Sequence, residues 1–101
     1  MSRRLVPQAP ASQRLDKYLW FTRLTRSRKE AQELAQSRRL RIDGRVIEKP
    51  SAPVHVGDVL AFTRHDRVQI VRVEALPSRR GPAAEARTHY SDLSQADPAQ
   101  D

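Results

Sequence analysis

The apolar pattern of this chain changes period once, and that change limits what it can fold into. Before Ser37 the apolar residues recur three and four apart; from Leu40 onward they tend to alternate. The first spacing lines one face of a helix and the second one face of a strand. A chain carrying both, in that order, is α+β, with its helices ahead of its sheet. In RLDKYLWFTRL (Arg14 to Leu24), Leu15, Tyr18 and Leu19 predict a first helix. Asp16 falls in its first turn, where a carboxylate complements the helix dipole. Thr25-Arg26 breaks the pattern, and Ser27-Arg28-Lys29-Glu30 is a capping box with Ser27 as N-cap. A second helix then runs to about Ser37, with Ala31, Leu34 and Ala35 on one face.

Leu40-Arg41-Ile42 and Arg45-Val46-Ile47, joined by Asp43-Gly44, predict a hairpin with a primed turn. Two-residue closure sets Arg41 opposite Val46 and Arg45 opposite Ile42. Lys49 to Pro53 is read as a loop, because prolines cannot supply a central ladder. Val54 and Val56 flank His55, Gly57-Asp58 turns into Val59 to Phe62, and Thr63 to Asp66 turns again. Arg67 to Leu76 is the longest strand candidate, and its apolar phase shifts at Ile70-Val71. That shift predicts either a bulge or burial on both faces. Ala83 to Tyr90 predicts a short helix starting at Pro82, and the remainder lacks any ordered pattern. The organisation expected is a flexible arm over 1–12, one domain over 13–77, and a C-terminal segment over 78–101 with an acidic disordered tail.

With 101 residues, 38% of them hydrophobic, the chain has room for one small core and little depth for a catalytic cleft. No run approaches the roughly 18 apolar residues of a membrane span. The absence of cysteine excludes disulfides, thiolate zinc sites and a cysteine nucleophile. No secretory signal opens the chain, so a cytoplasmic protein is expected, and a monomer. His55, His65 and His89 lie in separate segments without spaced ligand partners, and three scattered glycines make no phosphate loop. A non-enzymatic protein without metal or cofactor is expected.

The formal charge of +7 is unevenly placed. Residues 1–80 hold 18 bases against 8 acids, while residues 81–101 hold one base against four acids. Sixteen of the 19 bases are arginine, whose planar fork suits bidentate phosphate contact. Arg28 and Lys29 open the second helix, where the dipole disfavours cations by about 0.3–1 kcal/mol each. With Arg26 and the free amides of that helix start, they describe an anion site. Arg38, Arg39, Arg41 and Arg45 surround the hairpin, and alternation points Arg41 away from Leu40 and Ile42. Tyr18 is placed in the core; Trp20 and Phe21 cannot both join it, so one sits at the surface, stacks on a base or covers the tail.

Taken together, Arg14-Leu15-Asp16-Lys17-Tyr18-Leu19-Trp20, Ser27-Arg28, Ala31 with Leu34, Ile42-Asp43-Gly44, Lys49-Pro50-Ser51 and Val56-Gly57-Asp58 resemble the S-four type RNA-binding domain. The opening heptad and Arg79-Arg80 with Pro82-Ala83-Ala84-Glu85-Ala86 are most similar to the ribosome-associated heat-shock members of that family. The resemblance spans about residues 14–90 and implies an alpha-L fold, two helices packed on a small, mostly antiparallel sheet. It implies RNA contacts at Arg14, Lys17, Arg26, Ser27, Arg28, Arg41, Asp43 and Lys49, to which the basic pattern adds Lys29, Arg39 and Arg45. The implied partner is structured RNA, that of the large ribosomal subunit, with tRNA as a further candidate. The implied role is rescue of subunits that still carry nascent chains. Two positions depart from the family pattern. Ser37-Arg38 replaces the usual glycine after the second helix, at a cost of about 1 kcal/mol if the left-handed conformation is kept. An acidic segment also stands where heat-shock members have a basic extension, which bears on ribosomal docking. Two short helices leave a DNA-binding helix-turn-helix as the rival reading, and an adaptor for an acidic protein as a third.

Overall fold

The computed structural model describes residues 12–94. The arm expected over 1–12 and the tail beyond Ser94 lie essentially outside the described residues. Strand β1 (Gln13–Arg14) leads into α1 (Leu15–Phe21) and α2 (Arg28–Gln36). Six strands follow: β2 (Leu40–Ile42), β3 (Arg45–Val46), β4 (Pro53–Val54), β5 (Val59–Arg64), β6 (Arg67–Val73) and, after α3 (Ala83–Ala86), β7 (Tyr90–Asp92). A 3-10 turn at Arg87–His89 joins α3 to β7. The architecture is α+β, with an antiparallel sheet ordered β3-β2-β5-β6-β7 and a two-stranded pair, β1-β4.

Helix α1 is shorter than the apolar spacing suggests. It stops at Thr22, whose hydroxyl donates to Tyr18 O at 2.7 Å, and Arg23 takes a left-handed φ of 63°. Helix α2 begins as its capping box requires: Ser27 Oγ accepts from Glu30 N at 3.0 Å. The Glu30 carboxylate reaches back one residue further than usual, accepting from Arg26 N at 2.7 Å. Past its end Arg38 adopts φ 66°, so the left-handed conformation is kept without glycine.

The β2–β3 register pairs Arg41 with Val46 and Ile42 with Arg45, as the turn predicts, and Asp43 and Gly44 have φ of 50° and 87°. Three features differ from the pattern-based expectation, and one open alternative is resolved. Pro53 lies in a strand, as the first residue of β4 on a two-stranded pair, a position that tolerates proline. The four-residue turn contracts to His65-Asp66, both at positive φ, so Thr63 and Arg64 extend β5. The phase shift at Ile70-Val71 is met without a bulge: Leu60 pairs with Val71 and Ala61 with Ile70 in unbroken register. Val71 enters the core while Ile70 is half-buried on the outer face. Finally, Tyr90–Asp92 is a strand on the edge of β6, and only four residues of the predicted last helix are α-helical.

One core joins the layers. Leu15, Tyr18 and Leu19 of α1 meet Ala31, Leu34 and Ala35 of α2, and both helices cover Leu40, Ile42, Leu60, Phe62, Val71 and Val73 on the inner sheet face. The helix start at Ser27, the start of α1 and the hairpin are thereby held on one frame.

Candidate nucleic-acid interface

The start of α1 is organised by a buried carboxylate. Asp16 is 0% exposed and accepts from Arg14 Nε at 3.0 Å, Arg14 Nη2 at 2.9 Å, Lys17 N at 2.8 Å and Gln32 Nε2 at 3.2 Å. Arg28 Nε lies 3.5 Å from the same carboxylate, buried and without a hydrogen bond of its own. Burial opposes ionisation of Asp16, but the hydrogen bonds from Arg14 and Gln32 and the charges of Arg28 and Arg14 overcome it, lowering its pKa to about 2. The charge therefore persists at neutral pH. It also offsets the cost of opening α2 with a cation, since Arg28 faces a full negative charge from α1. The Arg14 and Arg28 side chains nevertheless remain 49% and 39% exposed. Each is aimed by Asp16 and still open to a ligand.

The loop after the hairpin closes the same corner. Asp16 N donates to Pro50 O at 3.0 Å and Leu15 N to Ala52 O at 2.9 Å, so free amides of α1 are capped by the loop that begins at Lys49. Lys17, one turn below, sets its ammonium 5.6 Å from the Phe21 ring. Arg14, Lys17, Arg28 and Lys49 are thus brought to one end of α1, although 35 positions separate the first from the last.

Arg26, Ser27 and Lys29 form the neighbouring turn, all exposed. Ser27 uses its oxygen as a cap acceptor and keeps a hydroxyl proton to donate. Glu30, besides closing the capping box, is held by Arg64 of β5 at 2.9 and 3.3 Å. The Arg64 hydrogen bond, working against burial, keeps this carboxylate below the usual range.

The hairpin residues are placed differently. Arg41 stands on the sheet face opposite Leu40 and Ile42, hence away from the helices, as alternation predicts. Arg45 pairs with Ile42 on an exposed edge strand, and Arg39 precedes β2, exposed, with its N–H on Ser37 Oγ at 3.2 Å. Asp43 pins the turn to β5: its N–H donates to Val59 O and its Oδ1 accepts from Val59 N, both at 2.9 Å. The helix-borne cations and Arg41 therefore belong to different faces.

Sequence patterning left Asp16 as a dipole complement and passed over Gln32, because their meeting crosses two helices. It also passed over Arg80, whose Nε donates to Trp20 O at 3.1 Å from 60 positions away. Tyr18 is fully buried as expected, with its hydroxyl donating to His89 O at 2.8 Å, while Trp20 and Phe21 are both half-buried. Among the described residues no cluster of three or more His, Cys, Asp or Glu side chains is placed to hold a metal ion. No helix among them is long and apolar enough to cross a membrane.

Residues 13–60 match the S4 domain family, the stretch that runs from β1 through both helices and the hairpin to the start of β5. The fold is similar to a solved structure described as the trimeric structure of Vibrio cholerae Heat Shock Protein 15, with a TM-score of 0.75 and 26% identity. That similarity covers 80% of this chain and 81% of the other. No curated protein matches in sequence. The matched segment contains the Asp16 cluster, the Ser27 turn and the hairpin, and the similarity in fold extends beyond it: residues 13–60 match the S4 domain, and the chain as a whole is similar in fold to heat shock protein 15.

Proposed function

We propose that this RNA-binding protein recognises structured RNA of the large ribosomal subunit through the cations gathered at the starts of α1 and α2. The observation that carries the reading is the Asp16 cluster. A fully buried carboxylate orients Arg14 and Arg28 while leaving both open to solvent, an arrangement that positions two forks for phosphate oxygens. Lys17, Lys49, Arg26 and Lys29 add charge around them, and the Ser27 hydroxyl supplies a neutral donor. Arg39, Arg41 and Arg45 offer a second strip across the sheet for a partner that wraps the hairpin. The finer role proposed is cytoplasmic: engagement of free large subunits that retain a nascent chain with its tRNA, under heat stress.

Filter binding to large-subunit ribosomal RNA and to duplex DNA, each across a salt series, tests the reading. Affinity for the RNA falls with a slope matching roughly 4–6 neutralised phosphates. Arg28→Glu weakens it far more than Arg87→Glu, which alters an exposed residue outside the cluster. Salt-independent binding, equal preference for duplex DNA, or equal effects of the two variants would refute it. Co-sedimentation with free large subunits from heat-stressed extract tests the finer role. All the helix-borne cations come from one chain, so a monomer suffices for this face; light scattering should return a single species of 11.6 kDa. A mass three times larger would instead match the trimer described for the Vibrio cholerae protein.

A further inference from the structure

Residues 77–90 lie outside the S4 match and return across α1. Gln13 Nε2 donates to Pro77 O at 2.7 Å, Arg23 Nε to Gly81 O at 2.6 Å and Tyr18 OH to His89 O at 2.8 Å. Arg23 is the left-handed residue that ends the α1 region, so the bond to Gly81 holds the chain where its backbone is least favoured. Between these ties sits Arg80. Its Nε donates to Trp20 O at 3.1 Å, its Nη2 to Arg26 O at 3.4 Å, and its guanidinium lies 5.5 Å from the Trp20 ring centre.

One guanidinium thus bridges the carboxyl end of α1, where the dipole favours a cation, and the carbonyl just ahead of the Ser27 cap. The Trp20 ring lies within cation–π range of the same guanidinium. Among the described residues Nη1 has no hydrogen-bond partner and is not fully enclosed, and it belongs to the guanidinium that already reaches Arg26 O in the turn before Ser27. Arg79, by contrast, is held by Glu85 at 2.9 Å.

We propose that Arg80 is an RNA contact delivered by the C-terminal segment: Nε and Nη2 set the α1–α2 turn, and Nη1 binds a phosphate oxygen next to Ser27. The inference rests on the RNA-binding reading and extends its surface beyond the S4 match. The test compares the full chain with Arg80→Gln, Arg80→Lys and Arg87→Gln by filter binding to large-subunit ribosomal RNA across a salt series, with urea unfolding of each. Arg80→Gln lowers affinity roughly tenfold and reduces the slope of log affinity against log salt by roughly 1, as loss of one phosphate contact requires. Arg80→Lys keeps the slope but loses affinity, because a point charge cannot bridge two carbonyls and reach a phosphate. Trp20 is the only tryptophan, and its emission changes on RNA addition because the guanidinium beside its ring is engaged. An unchanged slope in Arg80→Gln, with unfolding alone affected, would make Arg80 purely structural and overturn the inference. Should Arg80→Gln not fold, a Lys variant with unaltered affinity overturns it equally. A full chain that binds no RNA overturns the RNA-binding reading and this inference together; RNA binding with an unchanged slope overturns the inference alone.

Discussion

Replacing Asp16 by Asn removes the charge that holds the candidate interface while conserving side-chain volume. A fall in pKa from 3.8 to about 2 corresponds to roughly 2.5 kcal/mol, at about 1.4 kcal/mol per pH unit. Breaking a fully buried ion pair costs about 3–5 kcal/mol. Arg14 and Arg28 are 49% and 39% exposed and can turn to water, so the lower figure governs. Asp16→Asn is therefore expected to lose about 2–3 kcal/mol at pH 7, a drop in Tm of roughly 10–20 °C for a domain of this size. Because the folded-state pKa lies below the unfolded one, the contribution is complete above about pH 5 and fades as pH falls past 2. Urea unfolding of both proteins from pH 7 down to pH 2 measures this, and the stability difference should shrink steadily below pH 4. A difference equally large at pH 2 and pH 7 would show that shape, not charge, is what Asp16 contributes. RNA affinity at pH 7 should fall as well, since both arginines lose their anchor.

The left-handed Arg38 should gain from glycine. Arg38→Gly raises stability by about 0.5–1 kcal/mol in urea unfolding, because its ion pair with Glu48 is exposed and worth little; a loss of stability would contradict the strain argument. Ser27→Ala should cost about 1 kcal/mol by removing the α2 cap, whereas Ser27→Asp should keep stability but weaken RNA binding through its added charge; equal RNA affinity of Ser27→Asp and the parent would place the phosphate elsewhere. Tyr18→Phe should cost about 0.5–1.5 kcal/mol by removing one hydrogen bond to His89 O, which keeps its backbone donors Glu74 N and Ala75 N, and amide exchange should rise in residues 87–92, since that hydroxyl ties the C-terminal segment to α1. Uniform exchange across the chain would refute that tie.

Much of the site was legible because its determinants are local. A serine three residues before a glutamate is a cap wherever it occurs, and Ser27 caps α2. Asp43-Gly44 takes positive φ at both positions and sets the hairpin register. Other elements carried no local mark. Tyr90–Asp92 lacks apolar alternation and is a strand only because β6 offers an unpaired edge. The phase shift within β6 predicted a bulge or two buried faces equally; continuous pairing with β5 decided it.

The division follows from the range of the forces. Turn conformations, caps and amphipathic periods depend on neighbours within about four residues, and so did the α+β class, the basic character and the candidate cations. The sequence by itself determined which residues carry charge and which faces are apolar. Only the tertiary structure decided that Asp16 gathers Arg14, Arg28 and Gln32, and that Arg80 returns to the turn before Ser27. Those outcomes depend on which surfaces the shared core brings into contact. Hydrophobic burial drives that core together without direction, so no short pattern encodes the polar contacts it creates.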